Sequence, residues 1–265
     1  MTETVRELTI HQGVSIKLPD HPIASSIFSS MVVVDCGEWR SFLETAQGCS
    51  NLVDLGASAG FFSALFAATR ESSARILSVE FDKNVLPVLE QTRTLNLKPG
   101  INWIIDSRGV SDVHNFLGVV SSGFGAEVED EYSRVSAHHS AQSNRMQPEE
   151  YEVEVDQLSS ICGSYDFAPD LLKIDVEGYE FEVILSSQEI LNKYKPKIHL
   201  ELHLDLLRRR GKELRDILSL LDKVGYRLPG SAAALSGLGL EQIPSGLIRL
   251  GLTVQAPDHL SVSPM

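Results

Sequence analysis

The sequence predicts a doubly wound α/β fold, with helices on both faces of a mostly parallel sheet. Strand and helix patterns alternate regularly between residues 51 and 105. A turn of small residues follows the first strand, and the same alternation resumes from residue 171. Parallel neighbours need crossover connections, so this rhythm places helices on both faces of the sheet.

The first half of the predicted sheet lies within residues 37–105. A short helix is expected over 37–47, before the first buried strand. Apolar residues at helical spacing predict a helix over 61–69, and a second helix is expected over 84–95 with Pro87 in its first turn. The strands are expected over 51–55, 75–80 and 101–105.

The second half follows a polar excursion at 121–150, which is rich in Ser, Gly, His and Glu. The flanking strands are expected over 110–120 and 151–157, with a short helix over 157–161. The remaining strands are expected over 171–176, 197–203 and 247–254, and the helices over 179–191 and 212–224. We therefore expect an irregular segment at 1–36, one domain at 37–254 and a frayed tail at 255–265.

The charge balance limits the kinds of partner. The 265 residues include 36 acidic and 23 basic side chains, a formal charge of −13. Such a surface repels phosphate backbones and anionic lipid, so we expect no nucleic-acid and no membrane partner. The one basic cluster, Arg208, Arg209 and Arg210, fits either a solvated helix start or a clamp for an anionic acceptor.

The cysteines and the chain start favour a cytoplasmic protein. Cys36, Cys49 and Cys162 have the spacing of neither a zinc site nor a disulfide framework, so reduced thiols are expected. Residues 1–10 lack a signal-peptide core, and no apolar run reaches membrane-spanning length. The sequence is compatible with a homo-oligomer.

The bend at residues 56–60 is the first candidate binding element. Gly56, Ala57, Ser58 and Gly60 have small side chains or none, so a ligand can approach their backbone closely. The helix that follows offers unpaired N–H groups at its start. In doubly wound folds, nucleotide-like ligands bind in this crevice.

Two ligand classes compete for this bend. A dinucleotide pattern needs glycine where this chain has Ser58, so that pattern fails. An adenosyl-methionine instead needs acidic partners for its methionine end and its ribose. Asp54 precedes the bend, and Glu80 ends the second strand, 24 residues after Gly56. We therefore assign Asp54, Glu80 and the adjacent Phe81 to cofactor binding.

A hydrolase alternative uses the same bend. Residues 56–60 also match G-x-S-x-G, the nucleophile elbow, with Ser58 as nucleophile and His203 downstream. Such an elbow normally follows several strands, and little sheet is expected before residue 50. Asp54 would also be unusual in the central apolar strand of a hydrolase.

Polar side chains alternate along two later strands. Lys173, Asp175 and Glu177 share one face, and Glu201 and His203 share a face of the next strand. In a sheet covered on both sides, such residues need partners or a cleft. Convergence at the strand ends predicts acid–base machinery. A divalent metal on these groups is the alternative, but no metal is predicted.

Three motifs resemble the FkbM-type methyltransferases. They are the bend at 53–60, the segment LKIDVEGYE at 172–180, and ELH at 201–203. The resemblance covers roughly residues 35–230. It implies a class I methyltransferase-like sheet of seven strands with the last antiparallel, S-adenosyl-L-methionine as cofactor, and O-methylation. Family members often have Asn at the position of Ser58, and Asp106 matches the position that commonly meets the adenine amino group.

The resulting hypothesis is methylation of a hydroxyl on a small-molecule or carbohydrate-like acceptor. Asp175 or His203 would act as general base. Glu177 and Glu201 would position the acceptor or the base, while Lys173 would neutralise the acidic cluster. Asp175 is also assigned to the cofactor. A non-catalytic cofactor-binding protein is the third alternative.

Overall fold

A computed structural model describes residues 5–10, 13–28, 38–71, 73–113, 116–122, 149–226 and 247–252. Its strands are β1 (Val5–Ile10), β2 (Val14–Pro19), β3 (Asn51–Leu55), β4 (Ala74–Val79), β5 (Ile101–Asp106), β6 (Gly109–Val110), β7 (Phe116–Ser122), β8 (Glu149–Asp156), β9 (Leu171–Ile174), β10 (Lys197–His203) and β11 (Leu247–Leu252). Its helices are α1 (Pro22–Phe28), α2 (Glu38–Thr45), α3 (Phe61–Ala68), α4 (Leu86–Asn96), α5 (Leu158–Ser164), α6 (Glu180–Ser186), α7 (Gln188–Tyr194), α8 (Leu204–Arg209) and α9 (Leu214–Lys223).

The central sheet has the order β11-β10-β9-β3-β4-β5. Five strands are parallel, and β11 runs antiparallel to β10. This confirms the predicted α/β class and the antiparallel last strand. Within the described ranges the sheet has six strands, so the predicted seventh strand is not among them.

Apolar clusters cover both faces of the sheet, which confirms the doubly wound arrangement. Val53 and Leu55 of β3 belong to one cluster together with residues of α5, α6, α7 and α9. Leu52, on the opposite face, belongs to a second cluster with residues of α2, α3 and α4. Side chains of a strand alternate between faces, so β3 anchors both clusters.

The chain reverses its direction of winding beside β3. From β3 it passes through β4 to β5, and it later returns to place β9 on the other side of β3. Val53 is in register with Leu77 of β4 and with Leu172 of β9. In doubly wound sheets, ligands bind outside the carboxyl ends of the strands at such a switch point. The fold therefore predicts a ligand site at the loops after Leu55 and Ile174.

The N-terminal segment differs from its prediction. Strands β1 and β2 form an antiparallel hairpin, followed by α1, so the expectation of an irregular segment was wrong for the described residues. Ile16 and Leu18 are buried against the cluster of α3 and α4. The Asn96 side chain accepts from the Lys17 N–H at 2.9 Å and donates to the Lys17 carbonyl at 2.7 Å. The hairpin is therefore packed on the sheet's helical layer.

A second, smaller sheet flanks the carboxyl end of β5. Its order is β6-β8-β7, with β7 antiparallel to β8. This agrees with the two strands predicted on either side of the polar excursion. Residues 121–122 and 149–150 of that excursion belong to strands, and 123–148 lie outside the described residues. The predicted tail at 255–265 also lies outside them.

Two helical predictions need correction. The helix expected over 179–191 is two helices, α6 and α7, which meet at Ser187. The hydroxyls of Ser186 and Ser187 both donate to the Val183 carbonyl, at 2.9 and 2.6 Å, and such back-bonding bends helices. The short helix α8 was not predicted.

The basic cluster lies at a helix end instead of a helix start. Arg208 and Arg209 occupy the last turn of α8. Arg210 follows, donates to Glu182 at 2.8 Å, and lies over the Tyr179 ring at 3.3 Å from its centroid. These contacts join the end of α8 to α6. They give Arg210 a structural role, whereas the acceptor clamp remains a hypothesis.

The described residues include nine helices and two of the three cysteines. None of those helices has the combined length and apolarity that crossing a bilayer requires. Cys49 and Cys162 are buried free thiols, and burial raises the pKa of Cys162 to about 12. Cys36 lies outside the described residues.

Candidate active site

The bend between β3 and α3 is built on left-handed backbone. Gly56, Ser58 and Gly60 have φ values of 70°, 49° and 82°. A side chain at Gly56 would overlap the backbone carbonyl of Asp175, so two loops meet here in direct contact. The N–H groups of Gly56 and Ala57 both donate to the Val79 carbonyl at 3.1 Å. The bend is therefore fixed against the ends of β4 and β9.

Glu80 turns its carboxylate toward the bend. One oxygen accepts from the Ser58 N–H and the other from the Asp82 N–H, both at 2.9 Å. The residue is buried. A carboxylate accepts hydrogen bonds, so Glu80 offers at the bend the acceptor chemistry that ligand hydroxyls need. Phe81 is half-buried and packs against Val153 and Val155 of the second sheet.

Asp54 lies beneath the bend in a buried polar network. The Ser63 hydroxyl donates to one carboxylate oxygen at 2.6 Å, and the Lys173 ammonium is 3.5 Å from the other. Asp54 is fully buried. Its contacts make it the counter-charge of Lys173, and a contact with the methionine end of a cofactor stays a prediction.

Asp106 ends β5 in a two-pronged ion pair with Arg108. The guanidinium contacts the two carboxylate oxygens at 3.0 and 2.6 Å. Burial would raise the pKa of Asp106, but the hydrogen bonds and charge of Arg108 outweigh burial and lower it. Asp106 therefore has a structural partner already, and its contact with an adenine amino group stays a prediction.

The later polar residues converge at the carboxyl ends of β9 and β10. The Nε2 atom of His203 lies 3.1 Å from Glu177, 3.8 Å from Asp175 and 3.8 Å from Glu201. Strand β9 ends at Ile174, so Asp175 and Glu177 stand in the following turn and not on the predicted strand face. The structure thus brings the predicted residues together, in a turn instead of on a strand, and their catalytic roles stay a prediction.

The carboxylates around His203 change its proton affinity. Burial alone would lower the pKa of His203. The hydrogen bond that the ring donates to Glu180 and the charges of Glu177 and Asp175 outweigh burial and raise the pKa to about 9. At neutral pH the ring is therefore an imidazolium in the ligand-free protein.

Lys173 is the second cation of this group. Its ammonium lies 3.2 Å from Asp175 and donates to the Gly56 carbonyl at 3.1 Å. Burial would lower the pKa of Lys173, but the charges of Asp175, Asp54 and Glu38 outweigh it and raise the pKa. Lys173 thus joins the glycine bend to the acid–base group.

Two residues of the site were missed by the sequence reasoning. Glu38, the buried first residue of α2, lies within 4.8 Å of both Asp175 and Glu201 by carboxylate oxygens. Glu180, the buried first residue of α6, contacts Nδ1 of His203 at 2.9 Å. Glu180 falls inside the family-like motif at 172–180 and could have been found there, whereas no sequence signal connects Glu38 to the site.

A divalent ion would find suitable ligands here. Single donor atoms of Asp175, Glu177 and His203 lie within 4.8 Å of one another. Carboxylate oxygen and imidazole nitrogen suit several divalent metals. The ring of His203 must lose its Nε2 proton before it can bind one, so metal binding would compete with protonation.

The contacts of His203 do not support the hydrolase alternative. A serine nucleophile needs a histidine nitrogen as its proton acceptor. Among the described residues, His203 contacts Asp175, Glu177, Glu180 and Glu201, and none of its contacts is with Ser58. The sheet order also makes β3 the first strand of the central sheet.

Solved methyltransferase structures resemble this chain weakly. An FkbM methyltransferase from Methylobacillus flagellatus is 18% identical with a TM-score of 0.40, and the match covers 66% of this chain and 36% of that one. A putative SAM-dependent methyltransferase from Streptococcus mutans is 12% identical with a TM-score of 0.48, covering 96% and 56%. The chain thus spans about a third of the Methylobacillus protein. No curated protein matches significantly.

The family assignment comes from the sequence model that matches most of the chain. The model describes the methyltransferase FkbM domain and matches residues 54–228. That range contains the glycine bend, Glu80, the turn after β9 and His203. The chain therefore belongs to the methyltransferase FkbM domain family.

Proposed function

We propose that this protein is an S-adenosylmethionine-dependent O-methyltransferase that acts on a hydroxyl of a small-molecule or carbohydrate-like acceptor. The observation that carries this proposal is the direct contact between the glycine bend and the acid–base group. This group consists of Lys173, Asp175, Glu177, Glu201 and His203. Gly56 abuts the Asp175 carbonyl, and Lys173 contacts both segments. A cofactor held at the bend would therefore lie beside residues able to move a proton.

The chemistry of the donor set fits this cofactor. Glu80 lies at the bend, and its carboxylate is the kind of acceptor that ribose hydroxyls need. The neighbouring group contains six carboxylates and two cations among the described residues, which favours a positively charged ligand. The carboxylates are Glu38, Asp54, Asp175, Glu177, Glu180 and Glu201, and the cations are Lys173 and His203.

S-adenosylmethionine, when bound, supplies the electrophilic methyl group. The protein's own task is to hold the acceptor and remove its hydroxyl proton. We assign the general base to His203 in its neutral form. Its raised pKa makes the neutral ring a stronger base than an unperturbed imidazole. Asp175 is the weaker alternative because the Lys173 ammonium already neutralises its carboxylate at 3.2 Å.

The other residues of the group would orient the reacting partners. Glu177 is the most exposed carboxylate around His203, with 39% of its side chain accessible, so it suits a hydrogen bond to the acceptor. Glu201 is buried beside the ring and would restrict its rotation. Lys173 would hold Asp175 against the bend.

The decisive experiment follows the methyl group to the atom that receives it. Purified protein is incubated with cofactor carrying a ¹³C-labelled methyl group and with panels of hydroxylated acceptors, amines and thiols. We expect labelled methyl ethers, identified by mass spectrometry and NMR. His203→Gln should abolish transfer and still bind cofactor in calorimetry.

Other results would redirect the assignment. Transfer to nitrogen or sulfur only would contradict O-methylation and leave the family intact. Cofactor binding without transfer to any acceptor would favour the non-catalytic alternative. A parallel reaction in EDTA tests the metal alternative, and we expect turnover to persist because the Lys173 ammonium already neutralises Asp175.

A further inference from the structure

Glu180 is buried directly behind the proposed base. It is fully inaccessible to solvent at the start of α6. Its Oε1 atom lies 2.9 Å from Nδ1 of His203 and accepts the Gly178 N–H, also at 2.9 Å. One carboxylate oxygen therefore contacts both the imidazole ring and the turn that follows β9.

This contact determines which ring nitrogen carries the proton in neutral His203. An ionised carboxylate accepts hydrogen bonds and cannot donate them. Both ring nitrogens lie near a carboxylate, but Glu180 is fully buried at 2.9 Å from Nδ1, whereas Glu177 is 39% exposed at 3.1 Å from Nε2. Water can replace the exposed contact and not the buried one, so the neutral ring keeps its N–H on Nδ1. The lone pair then resides on Nε2, the atom directed toward Glu177, Asp175 and Glu201.

The same oxygen also fixes the turn that carries Glu177. Glu177 and Gly178 both have left-handed backbone, with φ of 50° and 96°. A Cβ on Gly178 would lie 2.6 Å from the Cβ of Leu206 in α8, the helix that begins immediately after His203. The turn, the helix and the ring are thus packed together around Glu180.

We infer that Glu180 is a positioning residue that holds His203 with its proton on Nδ1 and its Nε2 lone pair facing the acceptor. The inference rests on the proposed function, in which His203 is the base. When the acceptor O–H bond breaks, the proton would bind Nε2, and the resulting imidazolium would keep its Nδ1–H bond to Glu180. The proton would leave afterwards through Nε2, on the side of half-exposed Glu177.

The charged groups around His203 decide its titration. On the turn after β9 they are Asp175 and Glu177, on α6 Glu180, and on β10 Glu201. Lys173 of β9 acts on the ring through Asp175. Among the described residues, Glu180 alone contacts Nδ1, so its neutralisation should change the tautomer, whereas the other carboxylates face Nε2.

The test compares Glu180→Gln with Glu182→Gln. Glu182 lies on the same helix, is also buried, and contacts Arg210 instead of His203. We expect E180Q to reduce kcat by about 10²–10⁴-fold, with little change in cofactor Kd, because the neutral amide no longer fixes the tautomer. E182Q should retain kcat within a few fold. Glu180→Asp provides a conservative second variant that keeps the charge and should recover part of the lost activity.

Nitrogen NMR of ¹⁵N-labelled histidine supplies a readout that does not depend on turnover. At a pH about one unit above the pKa of His203, wild type should show the Nδ1–H tautomer, and E180Q should show a mixture and a lower pKa. Unchanged tautomer and kcat in E180Q would overturn the inference. If wild type methylates no hydroxyl but E180Q still alters the tautomer, the proposed function fails and the positioning role stands.

Discussion

Glu80 meets two requirements with one carboxylate. It fixes the bend through the Ser58 N–H, and it is the residue that we assign to the cofactor ribose. Removing the carboxylate would therefore disturb the pocket and the ligand together. A substitution at Glu80 should therefore remove the charge and keep the bend folded, so that cofactor binding can be measured by itself.

For Glu80 we predict that Glu80→Gln binds S-adenosylmethionine about 10- to 100-fold more weakly than wild type. The reason is the loss of charge-assisted hydrogen bonds, each about 1.5–3 kcal/mol. Calorimetry measures the Kd, and thermal unfolding verifies that the bend remains folded. Glu90→Ala, at an exposed position of α4, is the matched control. Wild-type affinity in E80Q would refute the ribose assignment.

For His203 we predict a pH profile with a rising limb. The ring acts as base only when neutral, so kcat/KM should increase with pH, reach half its maximum near pH 9 and level off about one unit higher. Steady-state assays between pH 6 and 10.5 give the profile. A flat profile over this range would exclude His203 and favour Asp175.

The bend at 56–60 shows how one element fixes a whole site. Gly48 and Gly56 both have left-handed φ, at 76° and 70°. A Cβ on Gly48 would meet nothing within 4 Å, whereas a Cβ on Gly56 would overlap the Asp175 carbonyl. Both glycines therefore need a positive φ, but only Gly56 also lies against the backbone of another segment.

At this scale we predict that Gly56→Ala is far more damaging than Gly48→Ala. Both variants incur the strain of positive φ, of the order of 1 kcal/mol, but only Gly56→Ala must also push the Asp175 turn away from the bend. G56A should lose cofactor binding as well as stability, measured by calorimetry and chemical denaturation. Equal losses in the two variants would show that the close contact is unimportant.

The ends of the strands and helices depend on local contacts that hydrophobic periodicity does not reveal. The alternation of Lys173, Asp175 and Glu177 resembles a strand, yet the strand ends at Ile174 and Glu177 adopts φ of 50°. The N-terminal hairpin carries its own alternation, with Leu8, Ile10, Ile16 and Leu18 buried. Pro19 ends β2 and Pro22 begins α1, and proline at such positions also fits the irregular segment that the sequence predicts.

The fold places excess negative charge around the partly buried His203. In the unfolded chain the pKa of a histidine is about 6.5. The folded pKa of His203 is about 9, so its protonation stabilises the fold. This contribution is complete below about pH 6.5 and is lost as pH rises through 9.

Accordingly, the stability advantage of wild type over His203→Gln should shrink by up to about 3 kcal/mol between pH 6.5 and pH 9.5. Urea denaturation of both proteins across this range gives the difference. Subtracting the variant removes the contributions of other titrating groups. A difference that is independent of pH would mean that His203 has an ordinary pKa in the folded protein.

The sequence alone determined the fold class and predicted most of the candidate site. Local hydrophobic periodicity identified the strands of the central sheet, and the family resemblance implied that the last of them is antiparallel. Small residues at 56–60 marked the bend, and the acidic residues after two strands marked the acid–base group. Each of these features depends on residues that are close together in the chain, so it can be predicted from a short stretch of sequence.

Tertiary structure decided the partners of each charged group. Glu38 enters the site from a helix far away in the chain, and Glu180 lies behind His203 because α6 packs beside β10. Asp54 is paired with the Lys173 ammonium, and Asp106 is paired with the Arg108 guanidinium. Sequence spacing predicted neither ion pair. Proton affinities follow from these distances, and distances between remote residues exist only after the chain has folded.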